Sequence, residues 1–181
     1  MAQKQFNYLI ITSLIVGLCC LFTISCEKDD VCINTPITPQ VQIVFEDAEN
    51  NNPNEPLRKR VVGLLVRKIP SNSLIDKILL NSASTDSISV PLNVNTDSVI
   101  YEFVENFGAD DESIIRTNTI EFTYERNNIY VNRACGFKAE FSNLAIVDDI
   151  DTADDNKWIN RIEIENITVN NEEKRHITIF H

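Results

Sequence analysis

The sequence predicts an all-β fold, an antiparallel β-sandwich, over residues 41–181. Three observations predict it. Short segments alternate apolar and polar residues at period two, the pattern of strands with one buried face. Clusters of Asn, Asp, Ser and Pro separate them at the spacing of turns. Helical periodicity is almost absent, confined to Leu74, Ile75, Ile78 and Leu79. Eight to ten short strands of this kind suit a sandwich of immunoglobulin-like or transthyretin-like type. Only four glycines are present, so the many asparagines are expected at turn positions.

Taken in order, Val41, Ile43 and Phe45 share one face of the first strand. Residues 48–56, with Pro53, Pro56 and three consecutive asparagines, read as a loop. Val61–Val66 is apolar on both faces apart from Gly63. The stretch from Ile69 to Ala83 admits two readings. One is a short helix capped by Ser73; the other is a strand from Lys77 to Leu80. Ile88, Val90 and Leu92 alternate, and Pro91 marks an edge strand or a strand end. Val99, Tyr101 and Phe103 share a face, with Ile100 and Val104 opposite. Ile120, Phe122 and Tyr124 alternate with Glu121, Thr123 and Glu125 in the clearest half-exposed strand. Asn127-Asn128 is expected to form a tight hairpin turn, because Asn tolerates positive φ. The chain returns through 129–133 and then Phe137, Ala139 and Phe141. Trp158 to Val169 reads as one long strand whose apolar phase shifts between Ile164 and Ile167, predicting a bulge near Asn166. Asn170–Glu173 reads as a turn. Ile177 and Ile179 share a face of the last strand, and His176 falls out of phase with them, on the outer face.

Residues 1–25 have a different character. One charge, Lys4, precedes an apolar run from Leu9 to Ile24. A basic start, a short apolar core and a small residue before a cut describe a secretory signal. The run falls short of the about 20 apolar residues a spanning helix needs. Cys26 follows small Ser25 and precedes Glu27-Lys28-Asp29-Asp30. Phe22-Thr23-Ile24-Ser25-Cys26 resembles a lipobox, with Thr23 where Leu is usual. The acidic run with Lys28 resembles the export signal of Bacteroidota-type surface lipoproteins. Together they imply a lipid on Cys26 and delivery to the outer membrane, with the tether spanning 26–40 and the sandwich spanning 41–181. Two or more acyl chains hold a protein on a bilayer lastingly, whereas one does so marginally.

Once the leader is removed and Cys26 is acylated, Cys32 and Cys135 remain. An even pair in an oxidising compartment predicts a disulfide. The alternative, Cys135 as a nucleophile, has no histidine signature beside it.

The net charge of the whole chain is −11. The leader carries one basic and no acidic residue, so residues 26–181 are one unit more negative. Phosphate backbones would be repelled, which argues against nucleic acid as a partner. Anionic lipid would be repelled as well, leaving the acyl chains as the membrane attachment.

Several groups resemble one another's usage in a known set. Cys26-Glu27-Lys28-Asp29-Asp30-Val31-Cys32, the strand from Val41 to Asp47 after Thr38-Pro39, Arg133-Ala134-Cys135-Gly136-Phe137-Lys138, and Trp158-Ile159 through His176 to Phe180 are similar to an uncharacterised family of small Bacteroidota-type lipoproteins of unknown function. The resemblance implies export and supports the Cys32–Cys135 pairing. It implies no activity.

Candidate chemistry is sparse. Asp149, Asp151 and Asp155 have the alternation of a calcium loop. Ala153 stands where a ligand belongs, however, Asp154 stands where the glycine belongs, and Asn160 stands where a closing Glu belongs. The run therefore reads as a solvated loop with no metal site, and Asp110-Asp111-Glu112 reads likewise. There is no Gly-x-Ser-x-Gly elbow, phosphate loop or zinc spacing, and no catalytic residue or cofactor is expected. Asp86-Ser87-Ile88, Asp97-Ser98-Val99 and Asp151-Thr152-Ala153 resemble the Bacteroidota-type O-glycosylation triplet, with Thr152 the best placed. Trp158, Tyr101, Tyr124 and Tyr130 would make a sugar-stacking face if exposed together, but core packing is the commoner use of such residues. The expectation is a non-enzymatic binding or accessory module on a lipid anchor, with an envelope protein or a glycan as partner. A hydrolase acting on an envelope polymer is the alternative.

Overall fold

Alternate side chains of an extended chain point to one side, so burying Val41, Ile43 and Phe45 fixes the register of the first strand. That strand is β1 (Val41–Glu46). It is followed by β2 (Val61–Ile69), β3 (Ile78–Thr85), β4 (Ser87–Val90) and β5 (Ser98–Glu105). Then come β6 (Arg116–Asn132), β7 (Gly136–Asp148), β8 (Arg161–Ile164) and β9 (Ile177–Phe180). The computed structural model describes Cys32 and residues 38–50, 57–69, 78–148 and 156–181. Helical structure among the described residues amounts to one 3-10 turn, Glu112–Ile114. The described residues are all-β, as the periodicity of 41–181 predicts.

The strands make two sheets, ordered β4-β1-β9-β8 and β3-β2-β5-β6-β7. Neighbours run antiparallel with one exception: β1 and β9 are parallel, with Ile43 opposite Ile177 and Phe45 opposite Ile179. One apolar core draws on both sheets. Ile43, Phe45, Ile177 and Ile179 come from the first, and Leu64, Phe103, Phe122 and Phe141 from the second. Contacts divide the chain into two units. One, Ile37–Tyr130 with Phe137–His181, contains this core. Of the other, Cys32 and Val131–Gly136 are described.

Three elements differ from the sequence reading. Asn127-Asn128 is not a turn: β6 runs unbroken to Asn132, and the reversal follows at Arg133–Cys135. Positive φ falls on Gly136, at 70°, where no Cβ opposes it. Asn127 instead reaches across to β7, its Nδ2 donating to Ser142 Oγ at 2.9 Å. The second difference lies at Ile69–Ala83, where residues 78–83 are strand β3 and 70–77, including the candidate cap Ser73, lie outside the described residues.

The third concerns the expected bulge near Asn166. β8 is short, and beyond it the chain leaves its sheet for the edge of the other. Leu144 N–H donates to Ile167 C=O at 3.0 Å, and Phe141 and Val169 exchange backbone bonds of 3.0 and 2.8 Å. The apolar phase shifts because one segment serves two sheets in turn, a corner device of sandwiches. β4 ends at Val90, before Pro91, and is an edge strand.

Candidate functional site

The described residues offer three places where polar or exposed side chains gather. The first is the segment preceding β9. Arg175 Nη1 lies 2.5 Å from Glu46 Oε1, and its Nε lies 2.7 Å from Glu165 Oε1. Thr178 Oγ1 donates to the same Glu165 oxygen. Glu46 and Thr178 are buried although they share the non-core phase of their strands, because the chain from 165 to 176 is bonded there.

His176 completes that fastening. Its Nδ1 accepts from Gln42 N–H at 3.0 Å, and its own N–H donates to Gln42 C=O at 2.9 Å. Its carbonyl accepts from Glu165 N–H at 2.8 Å and Asn166 N–H at 3.2 Å. The sequence put His176 on an exposed outer face. The phase is right, but the residue is only 1% exposed, covered by a segment its local pattern does not reveal. Burial lowers its pKa, outweighing the opposing pull of a bond to the Thr168 backbone and the charge of Glu172. Burial also lowers that of His181, whose ring packs edge-on against Phe45 and Trp158.

A pH dependence follows. The unfolded chain takes up protons near pH 6.5, while both folded histidines resist them until lower pH. Stability is therefore complete above about pH 6.5 and falls as pH drops from there toward the lowered folded values. Urea midpoints measured from pH 8 to 5 are expected to show this decline, and His176→Gln to make it shallower. An unchanged slope in that variant would place the imidazole in water.

The second place is a pair of adjoining open depressions, each about 270 Å³, which share Lys68 and Asn93. Ligand sites start at about 300 Å³. The phenols nearby are occupied. Tyr101 O–H donates to Pro91 C=O at 2.8 Å, and Tyr124 O–H donates to Asn93 C=O at 2.9 Å while accepting from Asn93 N–H at 2.8 Å. Burial raises the pKa of both, so neither acts as a base near neutrality.

The third place is the far end of the β6–β7 hairpin. β6 pairs with β5 through Arg116–Thr123, is bonded to the lead-in of β5 through Tyr124 and Arg126, and runs on to Asn132. From Glu125 to Asn132 every residue is exposed. Tyr130 is 58% and Phe137 67% exposed, their rings 5.4 Å apart and edge-on. In the turn beyond them Cys135 is bonded to Cys32, with Cα atoms 4.9 Å apart. Cys135 N–H donates to Asn132 Oδ1 at 2.7 Å.

The other sequence-derived candidates distribute as follows. Cys26, Thr152 and residues 149–155 of the acidic loop lie outside the described residues. Ser87 and Ser98 sit in β4 and β5. Asp111 caps the 3-10 turn, its Oδ1 accepting from Ser113 N–H at 3.0 Å and Ser113 O–H at 2.6 Å; these bonds hold its pKa below the usual range. No group of three or more metal-ligating side chains occurs among the described residues. Trp158, Tyr101 and Tyr124 are core residues and only Tyr130 faces solvent, so the four share no sugar-stacking face. Asn118 was missed. It is fully buried, and its Oδ1 accepts from the N–H groups of Trp158 and Ile159 at 3.0 and 3.1 Å. Its signal was available: it lies in phase with Ile120, Phe122 and Tyr124.

The model of a family of unknown function (DUF6452) matches residues 65–181, from within β2 through β9. No curated protein and no solved structure matches the chain.

Proposed function

The chain belongs to this family of unknown function, DUF6452, and from that premise we propose that it is a non-enzymatic cell-envelope lipoprotein of the Bacteroidota type. In this reading the sandwich hangs from acyl chains on Cys26 at the outer membrane and serves there as a binding or accessory module for an envelope protein or a glycan.

The observation that carries the reading is the Cys32–Cys135 disulfide, six residues beyond Cys26. Disulfides persist in oxidising compartments outside the cytosol. This one lies just downstream of a leader with the features of a secretory signal, at a cysteine flanked by Ser25 and the Glu27-Lys28-Asp29-Asp30 run. Thr152, in the Asp-Thr-Ala triplet, is the proposed O-glycosylation position.

The test is fractionation of cells producing the full chain and its Cys26→Ser variant. The parent is expected in the membrane fraction, with acyl chains on Cys26 by mass spectrometry. The variant is expected to move almost entirely to the soluble fraction. Partitioning of Cys26→Ser with membranes as before would overturn the anchor.

A further inference from the structure

We propose that the end of the β6–β7 hairpin is a second, peripheral membrane contact, with Ile129, Tyr130 and Phe137 seated in the interfacial layer of the bilayer that holds the acyl chains. The inference rests on the anchor reading above and extends it to a specific surface.

Three observations carry it. The first is covalent reach. Cys26 and Cys32 are six residues apart, which spans about 20 Å at full extension. The disulfide adds a Cα separation of 4.9 Å, and Phe137 lies two residues beyond Cys135. Phe137 is thus joined to the acylated sulfur by a path of about 34 Å at most, through a bridge and not through the sandwich.

The second is the side chains. Every residue of β6 from Glu125 to Asn132 is exposed, and this end of the hairpin presents Ile129 at 41%, Tyr130 and Phe137 to solvent. Aromatic rings with a polar tip belong at the headgroup level, and apolar faces of peripheral elements bury about 5–10 Å into it.

The third is charge. The chain has 27 acidic residues against 16 basic ones. Residues 127–138 contain no acid and two cations, Arg133 and Lys138. Within this stretch the charges are cations alone, each attracted to an anionic surface, while the tether joined to it by the disulfide carries Glu27, Asp29 and Asp30 with Lys28.

The experiment uses the full acylated chain reconstituted in phosphatidylcholine–phosphatidylglycerol vesicles, with and without brominated acyl chains. The native Trp158 is buried and supplies the background signal. Phe137→Trp adds a reporter at the hairpin end. Val62→Trp adds one at the opposite end of the five-stranded sheet, beside Asn106, where Val62 C=O accepts from Asn106 N–H. Vesicle flotation and intact mass report the anchor independently.

The expected result is flotation of all variants, a threefold or greater loss of added emission from Trp at 137 in brominated vesicles, and no loss at 62. Flotation with position 137 open to aqueous acrylamide and untouched by bromine would overturn the proposal and leave the anchor standing. Shielding from both quenchers would place a protein partner there and overturn it equally. Equal bromine quenching at 137 and 62 would show a body lying on the membrane without preference, which also overturns it. Failure to float, with Cys26 unmodified, would remove the anchor and this contact with it.

Discussion

Reduction of the Cys32–Cys135 disulfide is expected to lower the free energy of unfolding by about 2–4 kcal/mol. The bridge closes a sequence separation of 103 residues. A cross-link of that span removes much of the unfolded chain's freedom and, in the chain-entropy model, contributes close to the upper end of what disulfides give. Against a typical total of about 5–15 kcal/mol this is a large share. Guanidinium unfolding with and without reductant measures it. The double variant Cys32→Ser/Cys135→Ser is expected to match the reduced parent and to be insensitive to reductant. If the oxidised and reduced proteins unfold at the same midpoint, the bridge constrains nothing that unfolding releases.

The second large effect is expected at Asn118. Its Oδ1 accepts from two consecutive backbone amides, those of Trp158 and Ile159, both buried residues. Asn118 belongs to β6 and the two amides precede β8, so a single oxygen ties the lead-in of one sheet to a strand of the other. Trp158 is held again through its ring, Nε1–H donating to Phe103 C=O at 3.1 Å. Among the described residues no buried side-chain nitrogen or oxygen lacks a partner, so losing the Asn118 oxygen would break an otherwise satisfied interior. Asn118→Ala orphans two buried N–H groups at about 1–3 kcal/mol each, partly offset by relaxation. A loss of about 2–4 kcal/mol is expected, with a red-shifted Trp158 emission as water reaches the indole. A loss under about 1 kcal/mol would mean that the two amides find other acceptors.

The sequence's own regularities carry different parts of this structure unequally. Period-two alternation located Val41–Phe45, Ile120–Tyr124 and Ile177–Ile179 because one face of each supplies the apolar core; in Ile120–Tyr124 the other face is part-exposed, so composition mirrors environment there. Where β6 leaves the sandwich that link is broken: no core imposes a pattern on Asn127-Asn128, and local turn preference misled. The shift at Asn166 was visible, but a bulge and a change of sheet leave the same trace in one strand's pattern. The partner strand, β7, decides between them. His176 and Glu46 lie on the expected faces, and Glu46 is buried by a segment, bonded through Arg175, that lies 129 residues away and in no local window. Asn118 could have been found, since a lone polar residue in phase with three buried apolar ones needs a buried partner. The hairpin end was legible as residues and not as a surface, because exposure of Tyr130 and Phe137 depends on how far the ribbon extends past β5.

The parallel pairing of β1 with β9 sets the order of events when the chain is made. Ile43 must wait for Ile177. A chain emerging from its N-terminus therefore has β1 and β4 available early, while the strand that belongs between β1 and β8 arrives last. Until it does, Ile43 and Phe45 have no neighbour on that side and half the core stays open. Contacts that span so much sequence form slowly. The four-stranded sheet is thus closed to assembly until β9 is made, although the strands of the five-stranded sheet are all present once Asp148 has been added.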